Sequence, residues 1–69
     1  MDPFQITIAA ARVNAGMTQD EAAKALGIDR TTLIKWENGK VIPRTIQLIA
    51  LANIYNIPID NIFVPKATT

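Results

Sequence analysis

The sequence predicts a small all-α domain of five helices, and three features carry that reading. Apolar residues recur at helical spacing, glycines fall just past the apolar runs, and the polar stretches between runs are short. At 69 residues the chain reads as a single domain, 1–69, because a chain this short buries only about 60% of its unfolded surface and has no room for a second core. Its composition, 49% hydrophobic and 19% charged, is that of a compact globular unit rather than a disordered one.

The elements follow from the punctuation. Phe4, Ile8, Ala11 and Ala15 are spaced along one helical face ahead of Gly16, which predicts a first helix over about Gln5 to Ala15. Thr18 to Glu21 has the Ser/Thr-x-x-Glu pattern in which hydroxyl and carboxylate each satisfy a free backbone N–H, so a second helix runs from about Gln19 to Leu26. Gly27 ends it, Ile28 plugs inward, and Asp29 is the expected N-cap of a third helix from Arg30 to about Asn38. Two short helices joined by a glycine-containing turn form a helix-turn-helix over about residues 18–38. Asn38-Gly39 closes the third helix, and Lys40 to Arg44 is a loop stiffened by Pro43. The fourth helix has apolar residues on two sides, Ile46, Ile49 and Ala50 on one and Leu48, Leu51, Ala52 and Tyr55 on another. Such a wide apolar arc belongs at the centre of a domain or at a subunit contact. Asn56 ends it, Pro58 suits the first turn of a brief fifth helix over Ile59 to Phe63, and about 65–69 reads as a frayed tail.

Composition removes whole classes of function. With neither Cys nor His, the chain has no disulfides, no Cys/His metal site and no histidine acid–base chemistry, and its carboxylates are scattered or committed to helix caps. No catalytic residue, cofactor or metal is therefore expected, and the reading is not an enzyme. No apolar run approaches the roughly 18 residues that span a bilayer, and no leader-like segment opens the chain, so the expected location is the cytoplasm, without membrane partners. The net charge of +1 says little, but five of the seven basic residues, Lys24, Arg30, Lys35, Lys40 and Arg44, fall within one 21-residue stretch that holds only two acids. Charge alone describes either a nucleic-acid footprint or a solvated mixed-charge face.

A helix that enters the major groove, about 12 Å wide, needs polar donors on one side and apolar anchors on the other. The third helix meets that need, with Leu33 and Trp36 available to the core and Arg30, Thr31, Ile34, Lys35 and Asn38 available to solvent. Arg30 and Lys35 suit the guanine O6/N7 edge, and Thr31 suits a base edge or a thymine methyl. Ile34 has two placements open to it, against a thymine methyl or in a buried or protein contact. Phosphate contacts are expected at the start of the second helix, from Gln19 and from Thr18 where it does not simply cap, and beyond the third helix from Asn38, Lys40 and Arg44. Trp36 packs in the core or sets its ring edge near a phosphate. Arg12 and Glu37, each beside apolar neighbours, are expected to form an ion pair between the first and third helices rather than two separate surface charges.

The stretch Met17 to Pro43, MTQDEAAKALGIDRTTLIKWENGKVIP, resembles the helix-turn-helix of the Cro/CI-type (XRE) family of bacterial and phage regulators. Thr18-Gln19, Gly27, Trp36-Glu37-Asn38-Gly39 and Pro43 fall at the family's spacing, and the likeness extends from about Ile8 to Phe63. The resemblance implies a five-helix lambda-repressor-like DNA-binding domain. It also implies a phosphate anchor at Gln19, base-facing residues at Arg30, Thr31 and Lys35, and a structural Arg12–Glu37 pair. A homodimer on a partly symmetric operator is implied as well, with two recognition helices about 34–36 Å apart. Ala11 and Ala22 stand where leucine is frequent, the first helix has a single basic residue, and Arg44 replaces a small capping residue, so that the fourth helix is expected to begin at Thr45.

The expected function is a small sequence-specific regulator of transcription, repressor-like, either the switch repressor of a prophage or a regulator of a neighbouring operon, whose partner is double-stranded DNA. The competing expectation is a protein-interaction module on the same fold, an antirepressor or antitoxin component, which low net charge and Ile34 would suit. Ile59, Phe63 and Val64 are the candidates for a dimer contact, since a short chain has few apolar surfaces to spare.

Overall fold

The computed structural model describes residues 4–64. The tail expected at 65–69 lies outside these residues. Among them the order is β1 (Ile6–Thr7), α1 (Ile8–Asn14), α2 (Gln19–Leu26), α3 (Arg30–Glu37), α4 (Thr45–Tyr55), a 3₁₀ turn (Ile59–Asn61) and β2 (Ile62–Phe63).

Two predictions from the sequence require correction. The first helix begins at Ile8, not Gln5, because Ile6 and Thr7 are extended and pair in parallel with Ile62 and Phe63. Thr7 is the N-cap, its hydroxyl accepting from the Ala10 N–H at 3.1 Å. β-Branched Ile6 and Thr7 favour the extended state, and Phe4, counted above in the apolar spacing of that helix, is 73% exposed ahead of it. The fifth helix is likewise absent: a single 3₁₀ turn gives way at Ile62 to the second strand of that pair. Pairing satisfies backbone groups that one turn of helix would leave free. Two side chains lock the junction, Asn61 donating to the Phe4 carbonyl at 2.7 Å and Gln5 to the Asp60 carbonyl at 3.2 Å. The described residues thus form four α-helices and a parallel clasp of two residues from each strand that joins Ile6–Thr7 to Ile62–Phe63.

The helix-turn-helix itself follows the sequence closely. Thr18 and Glu21 form the reciprocal capping box, at 3.1 and 2.8 Å, and Gly27 ends α2 with φ of 73°, a left-handed conformation that glycine adopts without steric cost. The Ile28 N–H then returns to the Ala23 carbonyl, and Ile28 is half-buried against the core. Asp29 has N-cap backbone geometry, but its carboxylate makes no capping bond. Helix α4 starts at Thr45, where the Arg44 N–H is taken by the Gln47 side chain at 2.8 Å, and it ends on left-handed Asn56.

One core joins the four helices and both strands. Leu33 of α3 and Leu51 of α4 are fully enclosed, with Ile8, Ala11, Ala22, Ala23, Trp36, Ala52, Tyr55 and Ile62 around them. The alanines at Ala11 and Ala22 let α1 and α2 sit close to their neighbours, 1% and 0% exposed. Helix α4 is central, as its two apolar sides suggested, yet Ile46 and Ile49 remain exposed. No helix among the described residues is long and apolar enough to cross a membrane.

Candidate nucleic-acid interface

Burial of Leu33 and Trp36 fixes the rotation of α3, and that rotation decides what the helix presents. Trp36 therefore takes the core placement of the two open to it. Arg30, Thr31, Lys35 and Asn38 are exposed, and Ile34 among them is half-buried without joining the core cluster. These positions differ by three or four residues and so share one side of the helix. Lys40 and Arg44, in the loop beyond, are exposed as well. Thr18 is occupied as a cap, since its hydroxyl accepts the Glu21 N–H.

The Arg12–Glu37 pair forms. Arg12 Nε donates to Glu37 Oε2 at 2.7 Å and Nη2 to Oε1 at 3.4 Å, with the two side chains 14% and 6% exposed. Arg12 Nη1 also donates to the Met17 carbonyl at 2.9 Å, which ties the end of α1 to the start of α2. The hydrogen bond to Glu37 raises the Arg12 guanidinium above its ordinary pKa, against the opposing effect of burial. Tyr55 lies close enough to feel both charges. Burial first, and then the Glu37 carboxylate, push its phenol up to about 12. Its hydroxyl has no hydrogen-bond partner among the described residues.

The ion pair does not stop at structure. Gln19 Nε2 donates to Glu37 Oε1 at 3.0 Å, so the same carboxylate that pairs Arg12 also orients the first residue of α2. Gln19 Oε1 in turn faces Arg30 Nη2 at 3.5 Å, and Arg30 Nε lies 3.6 Å from Asp20 Oδ1. Arg12, Thr18, Gln19, Asp20 and Arg30 line an open depression of about 280 Å³ between the start of α2 and the start of α3. The sequence located Gln19 and Arg30 separately but gave no hint that they touch. Asp20 was missed, being legible only as part of the capping pattern.

At the other end of the chain Ile59 and Phe63 are 37% and 46% exposed, whereas Val64 is partly buried against the core and has less to offer a partner.

Comparison with known proteins gives a consistent set of likenesses. The sequence model described as "Helix-turn-helix" matches residues 8–62, most of the chain. An uncharacterized HTH-type transcriptional regulator of Archaeoglobus fulgidus is 36% identical over 53 residues, which cover 77% of this chain and 76% of that one. Another, of Methanocaldococcus jannaschii, is 35% identical over 48 residues, or 70% and 73% of the two chains. The HTH-type transcriptional activator BcrR of Enterococcus faecalis is 31% identical over 51 residues, 74% of this chain but 25% of that protein. No solved structure gives a significant match.

Proposed function

Given that the chain belongs to the XRE-type helix-turn-helix family of transcriptional regulators, we propose that it binds double-stranded DNA sequence-specifically, with α3 in the major groove. The observation that carries this reading is the free side of α3. Arg30, Thr31, Lys35 and Asn38 are exposed while Leu33 and Trp36 lock the opposite side into the core. A rigid, polar, part-basic helix side is what groove entry needs.

In this reading Arg30 donates to a guanine edge, Thr31 and Lys35 contact neighbouring bases, and half-buried Ile34 packs on a thymine methyl. Gln19 and the free N–H groups at the start of α2 take a phosphate on one side. Asn38, Lys40 and Arg44 take phosphates on the other, and Thr18, whose backbone N–H is taken by Glu21, adds the hydroxyl proton that the cap leaves free. Two copies bind a partly symmetric operator, and Ile59 and Phe63 supply the contact between them. Occupying such a site blocks whatever else must bind there, which is repressor-like regulation. The Enterococcus faecalis relative is named an activator, and this chain aligns with only a quarter of its length.

Selection of duplexes from a random pool tests binding, half-site symmetry and spacing together. A salt titration on the selected site should then lose about 0.9 logarithmic units of affinity per logarithmic unit of salt for each phosphate contacted. A second reading, a protein-interaction module on the same fold, draws on the small net charge and on the half-buried Ile34. It predicts no retained duplex even at low ionic strength, and that result would replace the regulator reading.

A further inference from the structure

The contacts of Arg30 with α2 bear on how the proposed regulator tells one sequence from another. The guanidinium is a planar fork, with Nε–H and one Nη2–H along its side edge and Nη1–H and the other Nη2–H across its end. Nε, on the side edge, faces Asp20 Oδ1 at 3.6 Å as an ion pair longer than a hydrogen bond, and Nη2, which belongs to both edges, donates to Gln19 Oε1 at 3.5 Å. Gln19 is itself held by Glu37 at 3.0 Å. Nη1, at the end of the fork, has no such partner among the described residues. Both charged side chains are well exposed, 58% for Arg30 and 76% for Asp20, so this is a steering contact rather than a structural one.

We infer that Asp20 is a specificity-determining, positioning residue, which turns the end of the Arg30 fork toward a base and keeps its side edge from phosphate. The inference rests on the DNA-binding reading above. A long unheld arginine beside a duplex has an easy alternative to base contact, because a phosphate accepts a bidentate pair from either edge and carries no sequence information. Asp20 competes with phosphate for that one edge.

The test is Asp20→Asn, with binding to a selected duplex and to a scrambled one measured in parallel over a salt series. The variant should hold the scrambled duplex about five-fold more tightly at low salt, the size expected for an exposed ion pair, with little change on the selected duplex, so that discrimination falls by about the same factor. Asp20→Glu, which keeps the carboxylate within reach, should restore discrimination. In an Arg30→Ala background the Asp20→Asn effect on discrimination should vanish. Equal tightening on both duplexes, or an effect that persists without Arg30, would mean that Asp20 only repels phosphate and would overturn the inference while leaving the regulator reading intact. Failure of the unaltered protein to hold any duplex would overturn both.

Discussion

Glu37→Ala should be among the most damaging single changes in the domain. Its carboxylate is 6% exposed and accepts from Arg12 Nε, Arg12 Nη2 and Gln19 Nε2. Removing it leaves the Arg12 guanidinium, 14% exposed, with the Met17 carbonyl as its remaining partner. A charge stranded in this way costs about 3–5 kcal/mol. The whole stability of a 69-residue domain is only about 3–10 kcal/mol. At a urea dependence of about 1 kcal/mol per molar, the midpoint should fall by about 3 M or more, or folding should be lost outright. Trp36, the sole tryptophan and 4% exposed, reports the transition by fluorescence. The double variant Arg12→Met with Glu37→Leu strands no charge, and it should recover most of the loss. A single-variant cost below about 1 kcal/mol, the value of a surface pair, would refute the argument. So would a double variant whose cost is the sum of the singles, because the singles should then share no common penalty.

Arg30→Ala should cost about 1–3 kcal/mol on the selected duplex and relax preference at one base pair, whereas Gln19→Ala should weaken all duplexes alike; a binding-site selection repeated on each variant distinguishes the two roles. The Tyr55 phenol ionises near 10 in the unfolded chain but at about 12 in the folded one. The folded state therefore holds the extra proton between those values, its contribution is complete below pH 10, and stability declines as pH rises from about 10 to 12. That decline should be shallower in Tyr55→Phe, which should be neutral or mildly stabilising at pH 7 because the removed hydroxyl has no partner among the described residues, and a loss above about 1 kcal/mol in urea would count against this. For the dimer, Phe63→Lys should yield monomers in sedimentation on and off DNA, while Ile46→Lys, at a residue 74% exposed on α4, should not. The reverse pattern would move the contact from the chain end to α4.

What the sequence made legible was governed by local rules. The capping box at Thr18, the left-handed Gly27 and the inward pair Leu33 and Trp36 each depend on residues within one turn of helix, and all three stand as read. The start of α1 and the end of the domain do not obey such rules. The β-branching of Ile6 and Thr7 leans toward the extended state, but it is pairing with Ile62 and Phe63, far along the chain, that fixes it. A two-residue strand has no periodicity to detect. The same distinction divides the candidate site. The opposite charges and apolar neighbours of Arg12 and Glu37 suggested a pair, but the link from Glu37 through Gln19 to Arg30 needs the crossing of α2 and α3, which no spacing encodes.

That link bears on why a domain with so thin a margin keeps two charges beside its core. An apolar pair of similar volume at Arg12 and Glu37 would serve stability as well or better, since it avoids desolvating both ions. It would leave nothing to accept the Gln19 amide. Freed from Glu37, Gln19 gains rotamers at the start of α2, and Arg30 loses a fixed neighbour, so each side chain must be ordered at the moment of DNA contact. Ordering a long side chain on binding costs about 0.5–1.5 kcal/mol. The double variant of Arg12→Met with Glu37→Leu should therefore unfold near the unaltered protein's midpoint yet bind its duplex about two- to twelve-fold more weakly for each side chain so freed, by the arithmetic of about 1.4 kcal/mol per decade. Binding at full strength in a stable double variant would mean that Glu37 serves the fold alone, and that the Gln19 contact is incidental to recognition.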